Sequence, residues 1–168
     1  MRSLLALAAV LVLGATLGAT AHADDCARKV GEQLPNIKNA VDENGKSVNL
    51  RTGGWVFVTV GASWCKPCAK ELPTWDQLPG NHPKVKFYAV DISEKASDGK
   101  AFHQKLGLKN LNKAYTAESN IANLGSVMPS SYLVDPKGII RSERCGFDEH
   151  DASGELKRMN DEISKLAP

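Results

Sequence analysis

Apolar residues along this chain recur with two periods, and the two predict a small set of elements. Residues 55–60 (Trp-Val-Phe-Val-Thr-Val) and 86–90 (Lys-Phe-Tyr-Ala-Val) are short, apolar and rich in β-branched or aromatic side chains, the pattern of strands in the middle of a sheet. Between them, residues 65–78 read as a helix with Pro73 inside it. Residues 101–106 and 119–124 predict two further helices, each followed by a glycine, Gly107 and Gly125, suited to a C-terminal cap. Residues 131–134 and 139–142 flank Asp135-Pro136-Lys137-Gly138, a turn that would join two antiparallel strands. Leu156, Met159, Ile163 and Leu166 follow at three- or four-residue steps and predict a closing amphipathic helix. Near the start, Asn44-Gly45 within residues 41–48 signals an N-terminal β-hairpin. The order βαβ then ββα, behind a hairpin, predicts an α/β fold: a central mixed β-sheet flanked by helices.

A different pattern precedes these elements. After Met1-Arg2-Ser3 the chain is largely apolar over residues 4–19 and closes with Ala21-His22-Ala23 ahead of Asp24-Asp25, which predicts a signal peptide over residues 1–23. A retained membrane anchor is the alternative reading. Cys26 follows Ala23-Asp24-Asp25 rather than the apolar and small residues that precede a lipidated cysteine. Residues 24–168 then form one domain, long enough for an adequate core, with no repeat and no linker to divide it. Arg2 leaves with the leader, so 20 of the 21 Lys and Arg face 19 Asp and Glu, a balance that argues for neither nucleic-acid nor anionic-membrane binding. Export to the periplasm or beyond is expected, and all four cysteines travel with the exported part, where disulfides persist.

The chemistry is carried by Cys65-Lys66-Pro67-Cys68. Cysteines three residues apart at a helix start lie on one face and can alternate between dithiol and disulfide. Unpaired N–H groups and the positive end of the helix dipole favour a thiolate, which makes Cys65 the nucleophile and Cys68 the resolving thiol. A zinc half-site would need a second ligand pair. Cys26 and Cys145 do not form one, and His82, His103 and His150 are scattered singly, as solvated surface residues are.

Trp64-Cys65-Lys66-Pro67-Cys68 resembles the WCxPC signature of the thioredoxin superfamily, and residues 128–138, beginning Met128-Pro129-Ser130, resemble its cis-proline loop and following strands. From about residue 34 onward the chain is most similar to the exported TlpA/ResA-like branch of thiol:disulfide oxidoreductases, which includes reductases of cytochrome c maturation. The resemblance implies a protein-disulfide reductase that needs no cofactor. Its partners would be protein thiols and disulfides and a membrane electron-donating thiol oxidoreductase, and it would act as a monomer. It also implies a cis Pro129 facing the cysteines, with Trp64 and Met128 as an apolar rim that meets the substrate. Glu71, three residues after Cys68, resembles the acid this branch uses to manage protons there; a buried carboxylate would have a raised pKa suited to that task. Thioredoxins proper carry a buried aspartate six residues before the first cysteine, where this chain has Thr59, and relatives carry an aromatic in the segment that here reads Val60-Gly61-Ala62-Ser63.

Pairing Cys65 with Cys68 leaves Cys26 and Cys145 for a second, structural disulfide across 119 residues. Two rival functions use the same residues. One is a Cu(I)-binding metallochaperone, because a CxxC dithiolate also suits that ion. The other is a peroxiredoxin-like peroxidase, against which stands the absence of a Pro-x-x-x-Thr-x-x-Cys pattern before Cys65.

Overall fold

A computed structural model describes residues 26–122 and 124–168. The expected signal peptide, residues 1–23, lies outside the described residues. Five strands form one mixed sheet: β1 Trp55–Gly61, β2 Val85–Asp91, β3 Asn112–Tyr115, β4 Ser130–Val134 and β5 Ile140–Cys145, in the order β3-β2-β1-β4-β5. The first three run parallel, and β4 and β5 are antiparallel to their neighbours. Among the described residues three α-helices, α1 Cys68–Trp75, α2 Ala96–Leu106 and α3 Ala152–Leu166, complete the α/β fold.

The alternation along β1 explains where the core sits. Successive side chains of a strand point to opposite faces, so Phe57 joins one apolar layer while Val56, Val58 and Val60 join the other. The first layer is closed by α1 and α3, through Leu72, Trp75, Met159 and Ile163. The second is covered by irregular segments, including Leu34 and Ile37 before β1 and Ile121 and Leu124 before β4. Thr59 and Gly61 share the α1 face with Phe57, which places polar and small residues under the start of that helix.

Several elements differ from the sequence reading. The Asn44-Gly45 turn forms, with the Asp42 carboxylate accepting from the Asn44 and Lys46 N–H groups, but a single Val41–Ser47 bridge closes it and neither arm becomes a strand. Val41 instead bridges Tyr115 at the sheet edge. Helix α1 is shorter than residues 65–78: Pro67 is its N-cap, so Cys65 precedes the helix and Cys68 is its first residue. In place of a helix over residues 119–124 there is one 3₁₀ turn, Glu118–Asn120, and Ala122 lies at a left-handed φ of 48°. Gly125 is consequently no helix cap. A Cβ there would stand 2.9 Å from the Ile121 Cδ1 and 3.1 Å from the Ile92 Cδ1, so glycine serves close packing. Gly107, by contrast, does cap α2 at φ 66°. β3 is an element that the apolar pattern did not reveal, because only two of its four residues are buried.

Candidate active site

The site lies where β1, β4 and α1 meet. Cys65 and Cys68 are joined by a disulfide with their Cα atoms 5.3 Å apart. Cys65 sits in the turn after β1, its N–H donating to the Ala62 carbonyl at 3.0 Å, and is 5% exposed; Cys68 is fully buried. The Cys68 N–H points at the Cys65 sulfur, 3.3 Å away. This is the amide donation expected of a helix start toward a thiolate. Gly61 makes the close approach possible, because a Cβ at that position would be 3.0 Å from the Cys68 sulfur.

Trp64, beside the nucleophile, is 62% exposed, unusual for so large an apolar group. Val127 and Met128 pack, partly buried, against the cluster that contains Cys65 and Cys68. The Met128–Pro129 peptide is cis. Val60 pairs with Ser130 across β1 and β4, so Pro129 immediately precedes the paired residues at the end of β1 that leads to the cysteines. Trp64, Cys65, Cys68, Met128 and Pro129 are thus gathered at one end of the sheet.

Below them is Glu71, only 1% exposed, one helical turn after Cys68. Its carboxylate accepts from the Thr59 hydroxyl at 2.9 Å and from the Ser131 hydroxyl at 2.8 Å, two residues that face each other across β1 and β4. Burial pushes its pKa from 4.5 up to about 7, and donation from neighbouring side chains only partly offsets that rise. A carboxyl group titrating near neutrality can take up or release a proton under physiological conditions. Thr59, at the thioredoxin aspartate position, therefore bonds the acid instead of supplying it.

The sequence reading missed Ser131, although a Ser-Ser pair opening an otherwise apolar strand was a visible signal. It also missed Asp91, 1% exposed at the end of β2 and paired in register with Gly61. One Asp91 oxygen accepts from the Ser93 N–H at 2.8 Å, the other has no partner among the described residues, and burial pushes the pKa up. The Ser93 hydroxyl in turn accepts from the Ser63 N–H, bracing the turn ahead of Trp64 and Cys65.

Two histidines are not solvated as the sequence suggested. His82 is 6% exposed and meets Asn160 at 3.0 Å; His103 is 2% exposed beside Tyr115, and burial lowers its pKa to about 4. His82 follows the 3₁₀ turn Pro79–Asn81 and His103 lies within α2; both are packed inward, where a polar side chain must find an internal partner. Among the described residues no three His, Cys, Asp or Glu side chains gather in a group suited to hold a metal. Cys26 and Cys145 are joined by a disulfide, Cα atoms 5.4 Å apart, directly behind Ser130.

Comparison with known proteins bears on this geometry. Residues 30–143 match the profile described as the AhpC/TSA family. The chain belongs to that family. The chain is 28% identical over 160 residues to the thiol-disulfide oxidoreductase ResA of Bacillus thuringiensis, covering 89% of this chain and 92% of the relative. A Chlorobium tepidum protein assigned as thiol:disulfide interchange protein DsbE superposes with a TM-score of 0.67 at 23% identity, over 80% of this chain and 98% of the other. The thioredoxin domain of a Bacteroides vulgatus thiol-disulfide oxidoreductase gives 0.61 at 21% identity, over 79% and 99%. The two structures establish the thioredoxin-like fold. With its cysteine pair and its family, this AhpC/TSA member is a thiol-disulfide oxidoreductase acting through Cys65 and Cys68. Among the described residues no helix is long and apolar enough to cross a membrane.

Proposed function

We propose that this oxidoreductase is an exported reductant of protein disulfides, residues 24–168 forming its single working domain after removal of residues 1–23. The observation that carries the mechanism is the buried Glu71 carboxyl group, one turn beyond Cys68 and titrating near pH 7. In the reduced protein the Cys65 thiolate attacks one sulfur of a partner disulfide. A Cys65–partner bond forms, the partner S–S bond breaks, and its second sulfur leaves as a thiolate that takes a proton from solvent. Glu71 then accepts the Cys68 proton, and Cys68 attacks the Cys65 sulfur. The first partner sulfur leaves and is protonated, and Cys65–Cys68 closes. Two electrons have passed from the dithiol to the substrate.

Trp64 and Met128 supply the apolar rim, and the backbone at Pro129 pairs with the incoming peptide. Pro67, directly before Cys68, supports the reducing direction, since it resembles reducing thioredoxins where strong oxidants carry histidine. The substrates on this reading are exported protein disulfides of the kind reduced in cytochrome c or metal-site maturation. A membrane electron-donating thiol oxidoreductase restores the dithiol, and the protein works as a monomer.

The assignment of roles is tested by trapping. Cys68→Ser should accumulate a mixed disulfide through Cys65, visible as a mass adduct that a dithiol removes, and Cys65→Ser should accumulate none. Adducts on Cys68 in the Cys65→Ser protein would reverse the two roles.

A further inference from the structure

The segment that presents Met128 and Pro129 has little repeating structure of its own. Its one helical turn ends at Asn120, and Ala122 takes a left-handed conformation that a residue with a Cβ adopts at a cost. Tyr132 supports it from β4, donating to the Leu124 carbonyl at 3.3 Å. Further support involves the chain's N-terminal side. Residues 31–34 lie against the start of β5, held by Gly31 N–H to Ile140 O at 2.9 Å, Ile140 N–H to Glu32 O at 2.9 Å and Leu34 N–H to Gly138 O at 2.8 Å. From this strap the Arg28 guanidinium donates to the Ala122 carbonyl at 3.1 Å. Cys26 is bonded to Cys145, which stands opposite Ser130 in the β4–β5 pairing. The Ser130 oxygen lies 3.3 Å from the Cys145 sulfur, and its hydroxyl donates to the Val127 carbonyl. Gly146, the next residue, donates its N–H to the Pro129 carbonyl at 2.8 Å.

The strap therefore reaches the segment directly at Ala122, through Arg28, and indirectly at Ser130, through Cys145. A disulfide that only tethered the N-terminus could sit anywhere along β5. This one sits across from the residue that follows Pro129, with Arg28 reaching the other end.

We propose that the Cys26–Cys145 disulfide and Arg28 are positioning elements for substrate docking: they hold Met128 and Pro129 in place so that a protein disulfide meets a surface already ordered. This rests on the reading of Met128 and Pro129 as the docking surface. Ordering a loop at the moment of binding weakens affinity, whereas a pre-ordered loop avoids that loss. A small disulfide that reacts with Cys65 without spanning the loop is indifferent to the strap.

The test uses full-length protein reduced at Cys65–Cys68 alone, with Cys26–Cys145 kept oxidised as checked by alkylation and mass, and two oxidants, insulin as the protein disulfide and 5,5′-dithiobis(2-nitrobenzoic acid) as the small one, in single-turnover reactions. Arg28→Ala and the Cys26→Ser/Cys145→Ser double variant should raise the half-saturating insulin concentration at least threefold, with the small-disulfide rate constant held within twofold. Arg28→Lys, which keeps a donor, should restore most of the loss. An unchanged insulin half-saturation in both variants, or an equal slowing with both oxidants, would overturn the proposal and leave the strap a stabilising tether. If the double variant does not fold, Arg28→Ala decides alone. A wild-type protein that reduces the small oxidant but never saturates with insulin would instead overturn the docking reading, and this proposal with it.

Discussion

Glu71 is a carboxyl group whose environment, rather than its chemistry, sets its usefulness. Removing it from water raises its pKa, and two hydroxyls that donate to it keep the ionised form accessible. The same shift has a consequence for stability. The folded-state pKa of about 7 lies above the unfolded value of 4.5, so the native state binds the proton more tightly. Stability contributed by this group is present in full below pH 4.5 and lost as pH rises toward 7, to a total of about 3 kcal/mol. Glu71→Gln removes that titration, and the Thr59 and Ser131 hydroxyls can turn to accept as well as donate. Denaturant unfolding of the oxidised protein at pH 5 and pH 8 should show the wild type losing more stability than the variant by an amount of this order. Parallel loss in both proteins would mean that Glu71 is not the titrating group. Glu71 was legible from its spacing after Cys68 and a family resemblance. Its partners were not, because a hydroxyl's significance lies in what faces it across the sheet, and strand register is not written in local pattern. The buried positions of His82, after a 3₁₀ turn, and His103, in α2, escaped because their partners Asn160 and Tyr115 are brought to them by tertiary packing.

At the scale of elements, long apolar runs were readable and short or irregular segments were not. β1 is buried on both faces and the second half of β2 is too, so their composition alone marks them. β3 is four residues long with a polar start, and where a helix was expected from residue 119 the chain makes only the 3₁₀ turn Glu118–Asn120, in a stretch whose Ser119 and Asn120 are weak helix formers. The glycines at the centre are explained by neighbours rather than by turns. Gly61 ends β1 against Cys68, so Gly61→Ala brings a Cβ to 3.0 Å from that sulfur and 3.3 Å from the Cys68 Cβ. Helix α1 must then shift from the strand. Denaturant unfolding of the oxidised protein should register a cost of about 1–3 kcal/mol. An unchanged midpoint would show that the helix start has room that this geometry denies it.

At the scale of the whole molecule, one sheet separates two apolar layers, and its active end brings together residues from the β1–α1 turn, α1 and the start of β4. Residues more than sixty positions apart, Thr59 and Ser131 among them, thereby hold one carboxyl group. The fold class and the chemistry of Cys65 and Cys68 were legible because a strand, a CxxC and a helix occur in that order. Of the N-terminal strap only the Cys26–Cys145 link to β5 was expected; its other hold on β5 consists of backbone bonds that no side-chain pattern announces. The central claim is that this arrangement acts as a reductant, and the reduction potential of the Cys65/Cys68 pair tests it most directly. Equilibration against a dithiol buffer series, with the redox state of Cys65 and Cys68 read by alkylation and mass, should give a value nearer the thioredoxin potential of about −270 mV than the oxidant value of about −120 mV. A value above roughly −150 mV would contradict it.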